Sequence, residues 1–396
     1  NLAVKPMQGG DSAAPDYPEI DARLTALAAR QAQWLGTSVG ERIAILAEIK
    51  ESLLPVSEAW AETAARKKGI APGSPLAGEE WLSGPYTLMG YCNQMMATLS
   101  QVEGKRHLDH IPVRELPSGQ IAARVLPHSV WDHLLLSGVK VDIWMEPGVD
   151  RGNLAQHTAS TYDPGSEAHK HGGVGLVLGA GNIAAIAPLD VFHKLFVENE
   201  VVVLKMNPVN EYLIEFLEPA FKPLIERGVV CIVRGGTDVG AYLCQHPLVD
   251  SIHITGAGTS HDAIVWGTGA EGQANKKANT PKNPRRVTSE LGAVCPTIIV
   301  PGPWSKADIA FQAEQVSTQK LHNSGFNCVA CQVLVLPSQW EHKGAFLDAL
   351  EASLATAESR NLYYPGTADR LAAFSAANPQ ERRIRRRGRQ IGRAHV

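Results

Sequence analysis

Residues 174–192, VGLVLGAGNIAAIAPLDVF, decide the fold. The stretch opens with Val174-Gly175-Leu176-Val177-Leu178, a short apolar run of the kind that forms a strand buried on both faces. Gly179 and Gly181 then punctuate the chain, and Leu189 to Phe196 takes up a helical rhythm. The whole run is almost long enough to cross a bilayer. Glycines at 175, 179 and 181, together with Pro188, Asn182 and Asp190, interrupt it. It reads as a buried strand, a glycine-rich turn and the start of a helix, not as a membrane span.

The same rhythm repeats downstream. Glu198-Asn199-Glu200 breaks the helix, and Val201 to Lys205 is the next expected strand. Tyr212 to Arg227 is expected as one helix, ended by Gly228 in a left-handed cap. Val229–Val233, Ser251–Thr255, Thr297–Val300 and Gln332–Leu336 read as further strands. Gly267 to Arg286, rich in Asn, Lys, Gly and Pro, reads as an exposed loop. Apolar strands alternating with helices imply an α/β fold, a parallel sheet with helices on both faces.

Upstream, the first part of the chain (1–104) looks helical. Ser38 and Glu41 fit a capping box, and Ile43, Leu46, Ile49 and Leu53 follow at helical spacing. Residues 105–172 differ. Ile121–Leu126 and Val139–Trp144 are β-like among Pro, Gly and His, which suggests a β-rich arm or insertion.

Composition excludes some classes of function. Hydrophobic residues are 44% and charged residues 19%, ordinary for a globular protein, and a net charge of −3 gives no signature of nucleic-acid or membrane binding. The six cysteines are too sparse for a disulfide scaffold, so reduced thiols in a cytoplasmic protein are expected, with no signal peptide. After Pro379 comes an arginine run, Arg382-Arg383-Ile384-Arg385-Arg386-Arg387, and the chain ends Ile391-Gly392-Arg393-Ala394-His395-Val396. Residues 380–396 are expected to be a non-native tail from a shifted reading frame, on a chain cut short.

Five segments carry residues with chemistry. Asn182 follows the first strand, beside Gly181, where a fixed amide could donate to developing negative charge. Lys205 ends the next strand, in Lys205-Met206-Asn207-Pro208. Thr255-Gly256-Ala257 closes the Ser251 strand where a helix could begin, and helix N-terminal amides favour phosphate. Glu290 stands in Ser289-Glu290-Leu291-Gly292-Ala293, next to an apolar strand, a position that suits a buried carboxyl acting as a base. Cys328 stands in Asn323-Ser324-Gly325-Phe326-Asn327-Cys328-Val329-Ala330, and a thiolate is both a strong nucleophile and an acyl carrier. Cys328-Val329-Ala330-Cys331 is also a CxxC, open to a redox or zinc reading. No second CxxC or His pair accompanies it, so plain burial of Cys331 is the default, and no metal is expected.

In order and spacing these segments resemble the aldehyde dehydrogenase superfamily, over roughly residues 170–340. The resemblance implies a Rossmann-like cofactor domain over 173–289 and an incomplete second α/β catalytic domain over 290–379. It implies Cys328 as nucleophile, Asn182 as oxyanion donor and Glu290 as the base that activates water. It implies NADP or NAD as cofactor, held by Lys205, Asn207, Pro208, Gly235, Thr255, Gly256, Ala257 and Leu291, with a small aldehyde as substrate and a homo-oligomeric parent protein. Pro208 stands where NAD-preferring members have an acidic residue, so a 2′-phosphate should be tolerated. Three departures from the family pattern are Gly181 for a Trp, Ala293 for a Gly and Phe326 for a Gln. Two alternatives stay open: a CoA-acylating dehydrogenase or acyl-CoA reductase, and a catalytically silent binding protein.

Overall fold

The computed structural model describes residues 17–136, 138–380, 383–384 and 394–395. The N-terminal part is helical. The longest helix, Val39–Lys67, begins at the expected box: Ser38 Oγ accepts from the Glu41 amide, and the Glu41 carboxylate caps the Ser38 amide in return. Its apolar stripe, Ile45, Leu46, Ile49, Leu53 and Trp60, is buried, and each such side chain contributes about 1.5–3 kcal/mol. Arg42, although charged, lies in the same layer, 4.6 Å over the Trp34 ring and bonded to Trp34 O.

Residues 105–172 include a three-stranded antiparallel sheet, β1 (Val113–Glu115), β2 (Ile121–Leu126) and β3 (Val141–Trp144). Arg114 and Arg124 both pair with Asp142 across it.

The main sheet has five parallel strands: β4 (Gly173–Leu178), β5 (Glu200–Lys205), β6 (Val230–Val233), β7 (Ser251–Gly256) and β8 (Arg286–Leu291), in the spatial order β6-β5-β4-β7-β8. The opening stretch supplies the central strand β4, the turn and the helix Ile186–Phe196, as the sequence implied. β5 is buried along its whole length, which its unbroken apolar run demands. At the amino ends of the strands, Lys194 is 1% exposed and bonds Glu198 (2.6 Å) and Glu200 (3.0 Å), while Arg286 closes over both carboxylates.

Several expectations need correction. Glu200 opens β5 and does not belong to the break before it, which falls at Asn199 with φ 59°. The helix expected over Tyr212–Arg227 is three pieces, Pro208–Leu213, Ile214–Ala220 and Lys222–Glu226. Pro223, at the second position of the third piece, breaks it there by withdrawing an amide from the ladder. Gly228 does take the left-handed cap, at φ 70°. The loop expected over Gly267–Arg286 contains the helix Gly269–Ala278. That helix has no apolar stripe. Glu271 in its first turn, Lys276 and Lys277 in its last, and left-handed Asn279 at its end are its signals.

A second parallel pair follows, β9 (Cys295–Ile298) beside β10 (Cys331–Val335), with β9 starting earlier than expected. The helices Lys306–Leu321 and Lys343–Thr356 pack with it around Ile309, Ala313, Val316, Trp340, Phe346 and Leu350. Most of the arginine run lies outside the described residues; Arg383–Ile384 pairs antiparallel with Ala394–His395. Among the described residues no helix is long and apolar enough to cross a membrane.

Candidate active site

In an open parallel sheet, ligands bind beyond the carboxyl ends of the strands. Every segment singled out in the sequence lies on that rim or joins it through the second unit. Asn182 sits in the turn after β4. Gly179 N donates to Lys205 O (3.0 Å), and Asn210 Nδ2 donates to Ala180 O (3.1 Å), so the turn is held from both sides. Gly181 is required there. A Cβ would stand 2.5 Å from the Tyr364 hydroxyl and 2.8 Å from Asn207 Cγ, which leaves no room for a large side chain.

The Asn182 side chain reaches the cysteine loop directly: its Nδ2 donates to Phe326 O at 3.0 Å. Phe326 stacks edge-on against Tyr363 (5.2 Å) and lies 5.5 Å from the Tyr364 ring. An aromatic cluster therefore fills the place of the amide expected from the family pattern. Cys328 follows in a tight turn, half-buried, with its Sγ 3.6 Å from Asn327 Oδ1. The Cys295 thiol donates to Cys328 O at 3.2 Å, which brings the first residue of β9 against the cysteine loop. Cys331 is buried at the start of β10, and all six cysteines are free.

Glu290 is placed differently from expectation. It is exposed, not buried. The reason is topological: β8 is an edge strand, and Glu290 pairs with Thr255 near its open end. The chain then passes through Gly292 to Cys295, and among the described residues no hydrogen bond or ion pair joins Glu290 to the cysteine loop.

The residues of the cofactor set lie on the same rim. Lys205 ends β5 at 7% exposure, a buried lysine where a solvated one would be common. Burial lowers its pKa, and the nearby carboxylates of Glu211 and Asp238 oppose that shift. Pro208 begins a short helical turn capped by Asn207, whose Oδ1 accepts from Val209 N at 3.0 Å. Gly235 follows β6 at φ 139°, and a Cβ there would strike Val239 at 2.5 Å. Thr255 is the last residue but one of β7, and its hydroxyl donates inward to Asp190 (3.0 Å). Gly256 and Ala257 are exposed at the N-terminus of the helix Gly258–Val265, and Leu291 lies beside Gly256 on β8.

Sequence reasoning missed a polar network under the cysteine loop. Asn323, quoted as part of the cysteine segment, bonds Lys68, Tyr363, Asn182 and Phe326. A cleft of about 500 Å³ opens beside it, lined by Lys68, Glu79, Glu80, Ser324 and Arg360 among others. Isolated charges at 68, 79 and 80 form no motif. The one available signal was the tandem Tyr363-Tyr364, both rings of which turn inward to Phe326.

A doubly wound parallel sheet, with a cysteine loop docked on its carboxyl rim by an asparagine, defines a class: an α/β protein built like a nucleotide-dependent dehydrogenase. Residues 172–367 match the aldehyde dehydrogenase family. The fold is that of solved aldehyde dehydrogenases at low sequence identity. One is an aldehyde dehydrogenase from Bartonella henselae, 15% identical with a TM-score of 0.58, matched over 95% of this chain and 67% of its own. Another is an aldehyde dehydrogenase C mutant from Pseudomonas syringae in complex with NAD+ and octanal, 17% identical with a TM-score of 0.56, over 94% of this chain and 65% of its own. A third is proline utilization A from Bradyrhizobium japonicum, 16% identical with a TM-score of 0.61, over 97% of this chain and 34% of its own. The chain thus spans 65% to 67% of the length of the aldehyde dehydrogenases from Bartonella henselae and Pseudomonas syringae. No curated protein matches the sequence.

Proposed function

We propose that the parent protein oxidises an aldehyde to a carboxylic acid with NAD(P)+, through a thioester on Cys328. The observation that supports this best is the bond from Asn182 Nδ2 to Phe326 O, because it puts an amide donor and the cysteine loop in one place although 144 residues separate the two partners. The rim fits a dinucleotide: Lys205 is a buried cation at a strand end, Gly235 lets the backbone turn close against Val239, and the residues opening the helix at Gly258 are exposed. Lys205, Asn207 and Gly235 would hold the adenosine side, with Thr255, Gly256, Ala257 and Leu291 next to the phosphates. Pro208 leaves room for a 2′-phosphate, so NADP and NAD are both accepted. The bound dinucleotide supplies the hydride acceptor.

Each protein residue has a defined task. The Cys328 thiolate adds to the carbonyl carbon, and the carbonyl oxygen takes the negative charge. One Asn182 N–H is held by Phe326 O; the other is available for that oxyanion, and a donor so fixed contributes about 3–4 kcal/mol. Loss of hydride from the adduct leaves a thioester on Cys328. Glu290 takes a proton from water, which attacks the thioester and releases the acid and the thiol. Glu290 reaches water readily from its exposed position but must turn toward Cys328 to act. The catalytic part is assigned to residues 290–379 and the cofactor part to 173–289.

The test is turnover of an aldehyde panel with NADP+ or NAD+, followed at the reduced-nicotinamide absorbance. Wild type should oxidise at least one aldehyde, and Cys328→Ser should lose more than about 1,000-fold in kcat. Undiminished oxidation by Cys328→Ser sinks the assignment. Added CoA that diverts the product from acid to acyl-CoA identifies thiolysis instead of hydrolysis.

A further inference from the structure

Asn323 is 4% exposed and holds a left-handed backbone at φ 51°, at the start of the turn that carries the chain from the helix Lys306–Leu321 to Cys328. A side-chain amide offers two donors and two acceptor positions. All four are used here. Oδ1 accepts from Lys68 Nζ (2.8 Å) and from the Tyr363 hydroxyl (3.0 Å). Nδ2 donates to Asn182 O (3.0 Å) and to Phe326 O (3.0 Å). The partners fix the amide's orientation. Flipped, it would set its NH2 against an ammonium and its oxygen against two carbonyls.

The outer half of the network is charged. Lys68 is 6% exposed and pairs with Glu80, 1% exposed, at 2.8 Å. A buried ion pair contributes little net stability, because desolvation offsets its attraction, but it specifies orientation. Lys68 closes the long N-terminal helix, so the pair fixes the cysteine loop to a helix far away in sequence. On the inner side, Phe326 O accepts from both Asn323 and Asn182, and Asn182 O accepts from Asn323; Asn182 O and Asn323 Oδ1 each lie 3.0 Å from the Tyr363 hydroxyl and share its one proton.

We propose that Asn323 is the positioning residue of the site: oriented by the buried Lys68–Glu80 pair and Tyr363, it holds the Asn182 amide in register with the Cys328 loop. The Asn323 side chain bonds Lys68, Tyr363, Asn182 and Phe326 and not the Cys328 thiol. It acts through Asn182. This rests on the functional reading above, and the experiment separates the two.

Two variants keep the backbone and change the amide. Asn323→Gly retains the left-handed turn and deletes the side chain. Asn323→Asp retains both acceptors and deletes both donors. Each should lower kcat for aldehyde oxidation about 100-fold, the scale of a displaced catalytic group, with KM little changed. Alkylation of Cys328 by iodoacetamide develops no oxyanion and should keep its wild-type rate in both. The paired variant Lys68→Met/Glu80→Met, which strands no charge, should fall in the same direction. Unchanged kcat in Asn323→Gly overturns the proposal. So does a parallel loss of turnover, alkylation rate and thermal midpoint, which marks a merely structural residue. If wild type oxidises no aldehyde, the functional reading fails and hydrogen exchange decides the positioning claim. Amides of residues 324–330 should exchange at least tenfold faster in Asn323→Gly while those of β4 and β5 hold; unchanged exchange in 324–330 overturns it.

Discussion

Single residues differ sharply in what their surroundings let them do. Burial pushes the thiols of Cys92 and Cys231 up to about 12 and that of Cys244 up to about 11. Near pH 8 these cysteines are almost wholly protonated, and the thiolate is the reactive form. Cys328 is half-buried on a loop. Iodoacetamide at limiting concentration should therefore modify Cys328 ahead of Cys92, Cys231 and Cys244 by on the order of 100-fold or more, as read by peptide mass spectrometry. Equal labelling of all of these positions would contradict the burial argument. The proposed nucleophile and its asparagine can be placed from sequence because each sits in a short segment with fixed neighbours: Asn182 beside Gly181, and Cys328 five residues after Asn323. Glu290 was legible as a position but not in its burial. Whether a carboxyl is covered depends on which strand ends the sheet, and no local pattern encodes that. Asn323 was visible only as a letter in a motif, since its role depends on Lys68 and Tyr363, which lie far from it in sequence.

Elements carry a second kind of information. The helix Ala77–Trp81 is short, and tertiary bonds hold it in place. Glu79 accepts from Arg360 at 2.6 and 2.8 Å and from the Asn323 amide at 3.0 Å. Burial raises the Glu79 pKa, but the hydrogen bonds from Arg360 and Asn323 outweigh it, and the net shift is downward. The sign of the linkage follows. A carboxyl whose folded pKa is depressed stabilises the fold above its unfolded pKa, about 4.3, and that stability is lost as pH falls through the lower folded value. Arg360→Met should therefore cost about 1.5–3 kcal/mol at neutral pH, and the gap from wild type should close as pH falls below about 4. Urea titrations at several pH values would measure it, and a gap independent of pH would show that Glu79 titrates unshifted. At this scale the strands were legible almost to the residue, because apolar runs between glycines leave few choices. The helix Gly269–Ala278 was not, because a helix that is polar all round lacks the periodicity by which helices are recognised.

Across the whole molecule, stability is unevenly distributed. One large core joins the long N-terminal helix, β4, β5 and the helix Ile186–Phe196, with Leu53, Val177, Phe192 and Val203 fully buried. The second core is small, with Trp304 edge to face against Trp340 (5.0 Å) and Phe346 (6.1 Å) and the latter two rings tilted at 6.0 Å. Its two-stranded sheet is covered on one side only: Ile298 and Val300 on the other face are 65% and 69% exposed, and Val333 and Val335 are 43% and 45% exposed. A two-stranded sheet is marginal by itself, so β9 and β10 should open before the main sheet does. In native-state hydrogen exchange across a guanidinium series, amides of β4 and β5 should exchange only through global unfolding. Those of Thr297, Ile299, Val333 and Val335 should exchange through an opening that costs several kcal/mol less. Because the cysteine loop lies between the helix Lys306–Leu321 and β10, the proposed chemistry rests on the weaker unit, tied to the stronger one by Lys68–Asn323 and Glu79–Arg360. Asn323→Gly should then lower the opening free energy of β9 and β10 and leave that of β4 and β5 at its wild-type value. Exchange of both sheets on a single isotherm would mean that the two cores unfold as one.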